Sequence, residues 1–229
     1  MGHERADNFS MQLDETLRAS IAQRLRQFEL QALSAPGSRR AAVALAIVEE
    51  GFGAALPGIL APAAWSGQAA LLLTRRPSHM RNHASQWALP GGSIDGDETP
   101  EQAALRELHE EVGLQLGAAT VLGRLDDFVT RSGFAITPIV VWAGAARDLV
   151  PSEAEVASIH RIPIAEFMRA DAPLLDAIDD SVHPVLRMPV GDTWIAAPTA
   201  AFLYQFRELC IAGRATRVAH YEQPLFARK

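Results

Sequence analysis

The sequence predicts an α/β fold in which a mixed sheet is covered by helices. Three observations lead there. Strand-like apolar runs dominate the chain. A few helical stretches are interspersed among them rather than gathered at one end. The chain of 229 residues, 48% hydrophobic and 21% charged, is globular in composition and long enough for one sizeable core, but too short for two full domains to be the default.

Residues 13–30 read as a helix. Leu17, Ile21, Leu25 and Phe28 recur at helical spacing, and Asp14 is placed to cap the start. Residues 34–38 (SAPGS) break the pattern and read as a linker. Residues 1–36 therefore form a helical extension with its linker, and residues 37–229 form the main domain. The extension can dock on that domain or on a partner chain, which makes a homodimer one expectation.

Residues 40–49 and 68–74 read as strands. Between them, GFGAALPGILAPAAWSG is too rich in Gly and Pro for regular structure. Further strands are expected over 121–130 and 134–142, joined by a turn at Arg131-Ser132-Gly133, and over 157–162, followed by a turn of helix over 164–168. Residues 182–190 and 193–196 suit a hairpin around Gly191-Asp192. A last helix is expected from Pro198 to Ile211, with Gly213 as its stop.

A formal net charge of −6 argues against a non-specific nucleic-acid binder, which needs a basic surface. The single cysteine, Cys210, sits among helix-spaced apolar residues and reads as a small core residue. The opening MGHERADNFS lacks the apolar run of a signal peptide, and the apolar stretch 54–65 is too short and too broken by Pro to span a bilayer. A cytoplasmic protein without a membrane partner is the expectation.

The chemistry concentrates in GGSIDGDETPEQAALRELHEEVGL, residues 91–114. Thr99, Pro100 and Gln102 form a helix start with a capping box, and Gly113 suits a left-handed stop. Leu105, Leu108 and Val112 share the face that packs on the sheet, with Ala104 at its edge, and Glu107, Glu110 and Glu111 cluster on the opposite side. Like charges at these spacings disfavour a helix, and carboxylates near its C-terminus oppose the macrodipole. A divalent cation reverses both signs, because hard cations take several carboxylate oxygens. Arg106 can reach Glu110 one turn on.

The segment resembles the Nudix box, G-x5-E-x7-R-E-U-x-E-E-x-G-U with U aliphatic. Gly92, Glu98, Arg106, Glu107, Leu108, Glu110, Glu111, Gly113 and Leu114 match every fixed position. The resemblance implies a Nudix α/β/α sandwich with a mixed sheet between helices. It also implies hydrolysis of a nucleoside diphosphate linked to another moiety, with Mg²⁺ or Mn²⁺ as cofactor. It makes Glu107 and Glu111 the main metal ligands, with Glu110 sharing the site and the Gly91 carbonyl as a further candidate. Glu98 then supports the loop, by pairing with Arg106 or through a metal-bound water. The general base varies among these enzymes: Glu107 or Glu111, or Glu153 or Glu155 from the later PSEAEV segment, are the candidates here.

Upstream, LLTRRPSHMRNHASQWALPGG (72–92) is similar to the signature of coenzyme A pyrophosphatases within that family, L-L-T-x-R-[SA]-x3-R-x3-G-x3-F-P-G-G. Leu72, Leu73, Thr74, Arg76, Arg81, Pro90, Gly91 and Gly92 match, while Pro77, Ser85 and Leu89 depart. Ser85 stands where a Gly can supply positive φ. Arg76 and Arg81, with Thr74, Gly91 and Gly92, are thereby candidate substrate-binding residues, since Arg grips phosphate through two parallel hydrogen bonds. The substrate implied is coenzyme A or an acyl-coenzyme A, cut to 3′,5′-ADP and 4′-phosphopantetheine or its acylated form. ADP-ribose or NADH is the alternative substrate, and a non-catalytic ligand-binding Nudix domain the alternative class. His79 and His83 read as solvated loop residues, and His109 has no assigned role.

Overall fold

The computed structural model of the chain describes residues 11–33, 37–78, 85–178 and 181–224. In chain order the elements are α1 (Glu15–Gln27), β1 (Arg39–Gly51), β2 (Ser66–Arg75), β3 (Trp87–Ala88), β4 (Gly91–Ser93), α2 (Pro100–Val112), β5 (Val121–Arg124), β6 (Phe128–Val129), β7 (Phe134–Gly144), β8 (Ser158–Pro163), α3 (Ile164–Phe167), β9 (Leu174–Ile178), β10 (Ser181–Val190), β11 (Thr193–Ala196) and α4 (Thr199–Phe206).

The main sheet runs β3-β2-β1-β7-β5, with β4 also on β1, β6 on β7 and β8 on β2. It is mixed: β1 pairs parallel with β7 and antiparallel with β2 and β4. Strand β1 is buried on both faces, so it reads as a continuous apolar run. Its even positions, Ala42, Ala44, Ala46 and Val48, meet Ala103, Ala104, Leu108 and Val112 of α2. Its odd positions, Leu45 and Ile47, join Ile21 of α1, Phe167 of α3 and Phe202 of α4 in the larger core. The result is the expected α/β/α layering. A small sheet, β9-β10-β11, lies beside α3 and α4.

Helix α1 starts where expected, with Asp14 Oδ1 accepting from the Leu17 amide at 2.9 Å, but it ends at Gln27 rather than residue 30. It buries Ile21 and Leu25, and Arg24 Nη1 donates to the carbonyls of Cys210 and Ile211 at 2.7 and 2.6 Å. Of the two docking expectations, the helix takes its own chain. Residues 34–36 of the expected linker lie outside the described residues.

Three further differences have physical reasons. The single strand expected over 121–130 is two, because the intervening Asp126 and Asp127 leave the ladder. Asp126 accepts from the Gln31 amide and from Arg217, and Asp127 from the Leu33 amide and Thr137 Oγ1. The last helix has Pro198 as its cap and continues past Phe206 as a π-helical turn, Arg207–Ile211. Strands β3, β4 and β9 were not expected, being short or only half-buried. Cys210 is buried as expected, and burial pushes its thiol pKa up. Among the described residues, no helix is long and apolar enough to cross a membrane.

Candidate metal centre and pocket

Helix α2 begins on the capping box: Thr99 Oγ1 accepts from the Gln102 amide at 3.3 Å, and Gln102 Oε1 from the Thr99 amide at 2.8 Å. It ends at Gly113, whose φ of 71° is the left-handed stop. The glutamates do not all face solvent, as the helical spacing alone suggests. Glu107 and Glu111 are 8% and 5% exposed, whereas the Glu110 side chain is 55% exposed. The glycines of β4 make the burial feasible. A Cβ on Gly92 would collide with Glu107 Oε1, and one on Gly91 would collide with the Ala42 carbonyl. With no side chains there, β4 fits between β1 and the carboxylates.

Glu155 arrives from the loop after β7. That loop is tied to the end of α2, whose last carbonyls need donors. The Val150 amide donates to Val112 O at 3.0 Å and the Ser152 amide to Glu111 O at 2.8 Å. A turn closed by the Glu155 and Val156 amides on Ser152 O then turns Glu155 back toward α2. Glu107, Glu111 and Glu155 each offer an oxygen within 4.8 Å of the others. A hard cation binds oxygens at roughly 2.0–2.6 Å, so the three can share one ion. Glu153 is not in this group, and Glu110 is turned to Arg106 instead.

Arg106 organises the rest. Its Nε donates to Glu98 Oε1 at 2.9 Å, its Nη1 to Glu107 Oε1 and Glu110 Oε2 at 2.9 Å each, and its Nη2 to the Ser93 carbonyl at 3.0 Å. The Glu98 bond is the largest influence raising the Arg106 pKa, and the same bond lowers that of Glu98. Burial pushes Glu111 up to about 8, reinforced by Glu107 and Glu155 and opposed by the Gly91 amide and Arg76. Burial also raises Glu107, against the pull of Arg106. Removing carboxylates from water while crowding them is unfavourable until a cation arrives, which is the electrostatic profile of a ligand set.

A pocket of about 200 Å³ adjoins this group at Gly91. The Gly91 amide faces Glu111 Oε1 across a long 3.5 Å contact, and the same residue lines the pocket with Arg76, Trp87, Phe134, Ile136 and Phe202. Of the other expected substrate residues, Thr74 is buried, and its hydroxyl donates to the Ala88 carbonyl at 3.4 Å, bridging β2 and β3. Gly92 abuts Glu107. Arg81, with His79 and His83, lies outside the described residues. Arg75 stacks 4.2 Å over Trp87. Ser85 adopts φ of 57°, the left-handed conformation that a glycine takes without strain. His109 is exposed.

This combination, carboxylates of a capped helix beside a glycine strand on a mixed sheet, defines an α/β protein with a candidate cation site. The NUDIX domain profile matches residues 56–183, more than half of the chain. The chain belongs to the Nudix family. An uncharacterized Nudix hydrolase, NudL, from Enterobacter sp. (strain 638) is 39% identical over 112 residues, covering 48% of this chain and 58% of that protein. NudL from Yersinia enterocolitica (strain NCTC 13174 / 8081) is 42% identical over 115 residues, covering 48% and 57%. The chain thus spans about half the length of the curated relatives it matches. Among solved structures, a MutT protein from Methanosarcina mazei Go1 superposes at a TM-score of 0.41 with 21% identity, over 62% of this chain and 84% of that one. The Nudix hydrolase RenU from M. smegmatis superposes at 0.40 with 25% identity, over 71% and 83%.

Proposed function

We propose that the protein is a Nudix pyrophosphohydrolase that cleaves the diphosphate of coenzyme A or an acyl-coenzyme A to 3′,5′-ADP and 4′-phosphopantetheine or its acylated form. The observation that carries the proposal is the junction at Gly91, where the three-carboxylate group meets a pocket bearing Arg76. Glu107, Glu111 and Glu155 would hold Mg²⁺ or Mn²⁺. Their spacing and the burial-raised pKa values of Glu107 and Glu111 fit that role. When bound, the cation supplies neutralisation of phosphate charge and activation of water. Glu110, bound to Arg106, stays available as an outer ligand, and the Gly91 carbonyl remains a candidate.

The chain's own residues do the positioning. Arg106 fixes Glu107 and, through Glu98 and the Ser93 carbonyl, the loop between β4 and α2. Arg76 faces the pocket without a carboxylate at salt-bridge distance among the described residues, and it would take a phosphate oxygen. Glu155 is the exposed member of the acidic group and the one a bulk water can reach, so we assign it proton acceptance. Arg81 belongs to the proposal through the signature alone.

Residues 37–229 carry every candidate site residue, and residues 1–36 are proposed as an extension that stabilises the sheet. That helix serves the chain's own core, so the proposal does not require a homodimer. A cytoplasmic setting and a small-molecule partner, without nucleic acid or membrane, complete it. Incubation of the purified protein with Mg²⁺ or Mn²⁺ and coenzyme A should release 3′,5′-ADP. No release, alongside brisk turnover of ADP-ribose or NADH, would replace the substrate. No turnover of any of them, with no metal binding, would replace the enzyme by a ligand-binding domain.

A further inference from the structure

Arg76 lines the pocket, and a second cation, Arg39, lies beside it against the lining residues Phe134 and Ser132. At one end Val43, which lines the pocket, pairs with Gly91, and Arg76 lines the same pocket. At the other end Arg39 pairs with Phe134, another lining residue. Arg39 and Val43 are four positions apart on one strand, which is about 13 Å at ~3.3 Å per residue.

Arg39 is held at that rim. Its guanidinium carbon lies 3.9 Å from the centroid of the Phe134 ring, and Nη2 donates to the Ser132 carbonyl at 3.2 Å. Ser132 also lines the pocket. The neighbouring Arg131 is neutralised by Glu222 at 2.7 Å. Arg39 has no carboxylate at salt-bridge distance among the described residues, and its Nε and Nη1 donate to none of them. The wall between the two ends is neutral, with Trp87, Phe134, Ile136 and Phe202 supplying flat or apolar surface. A ligand complementary to this wall has an anion at the acidic-cluster end, a neutral ring-bearing body, and a second anion about one strand segment away.

We infer that Arg39 is a specificity residue that reads a second phosphate on the nucleotide, the one coenzyme A carries on its ribose beyond the diphosphate. The inference rests on the coenzyme A reading of the site. A guanidinium already flattened on an aromatic ring presents its remaining N–H groups to phosphate with little further loss of freedom. ADP-ribose has no such phosphate, so Arg39 favours coenzyme A over that alternative. Arg39 precedes the span matched by the family profile and lies outside both sequence motifs.

The test compares coenzyme A with dephospho-coenzyme A on the wild-type protein and on Arg39→Ala, with the same metal. The variant should raise KM for coenzyme A about tenfold, the loss expected for a charged hydrogen bond. It should leave KM for dephospho-coenzyme A essentially unchanged. An equal rise for both, or no change for either, would overturn the assignment. Arg39→Gln keeps a planar polar side chain at the rim and should show the same selective loss if the alanine variant folds poorly. If the wild type hydrolyses neither compound, the coenzyme A reading has failed by itself. Calorimetric titration with adenosine 3′,5′-bisphosphate and with AMP then still judges Arg39. The wild type should bind the bisphosphate about tenfold more tightly and Arg39→Ala should bind both alike. Equal binding by the wild type overturns the inference.

Discussion

Replacing Glu111 by Gln separates the demands of the fold from those of the site. In the folded chain burial lifts the Glu111 carboxyl from the ordinary 4.5 to about 8. A carboxyl raised in this way binds its proton more tightly folded than unfolded. Its contribution to stability is full below the unfolded value and is lost as pH rises toward the folded one. At ~1.4 kcal/mol per unit the whole shift corresponds to about 5 kcal/mol. Between about pH 5.5 and pH 8.5 linkage removes about 3 kcal/mol of it. Gln has the same shape and no titration. The metal-free Glu111→Gln protein should therefore gain about 3 kcal/mol relative to metal-free wild type between about pH 5.5 and pH 8.5.

Divalent cation should offset most of that difference. Saturating the wild type with Mg²⁺ at a hundredfold excess over its dissociation constant adds about 2.7 kcal/mol. The variant, missing one of three close carboxylates, should gain little, and its turnover should collapse. Urea denaturation at the two pH values, with EDTA and with Mg²⁺, reads all four conditions. A variant destabilised equally at both pH values, with an undiminished Mg²⁺ response, would refute the burial and ligand arguments together.

Gly92→Ala should weaken Mg²⁺ affinity about tenfold or more, because its Cβ displaces Glu107; calorimetry reads this. Glu155→Gln should weaken metal binding and reduce kcat, whereas Glu153→Gln should change neither, and parallel kinetics decide between them. Lowering the pH below about 8 should weaken Mg²⁺ binding, since a proton on Glu111 competes with the ion; a titration series across pH checks the slope. Ser85→Gly should stabilise the protein by up to about 1 kcal/mol in thermal denaturation by removing a side chain from left-handed backbone.

Helix α2 was legible because its signals are local. The capping box, Pro100 and Gly113 act within one turn, and the structure places the boundaries where those residues put them. The environment of its carboxylates was not local. Periodicity separates Glu107, Glu110 and Glu111 from the apolar face, but it carries no information about what approaches that side. Strand β4 approaches it, and Gly91 and Gly92 are what allow the approach. Glu155 was one of two candidates in a polar loop. The choice between it and Glu153 depends on the Val150 and Ser152 amides meeting the last carbonyls of α2, a tertiary contact with no sequence period. Strand 121–130 failed for a similar reason. Its propensity is continuous, but Asp126 and Asp127 leave the ladder to bond segments distant in the chain.

Burial of the carboxylates links these observations. A solvated acidic helix face binds a cation weakly, because water competes with every ligand oxygen. Here α2 sits against the small even-numbered residues of β1, and Gly92 of β4 closes over Glu107 without a side chain. The same closeness makes the metal-free site unfavourable, so the structure needs fastenings that do not depend on the ion. Arg106 supplies one by holding Glu98, Glu107 and the Ser93 carbonyl, and the Ser152 amide on Glu111 O supplies another. On the proposed metal reading, these contacts, one on the Glu107 carboxylate and one on the Glu111 backbone, would lower the reorganisation needed when an ion binds. The residues that make up the motif therefore have separate roles. The glycines admit the carboxylates, Arg106 holds Glu107, and Glu107 and Glu111 are left crowded, as the proposed cation site requires.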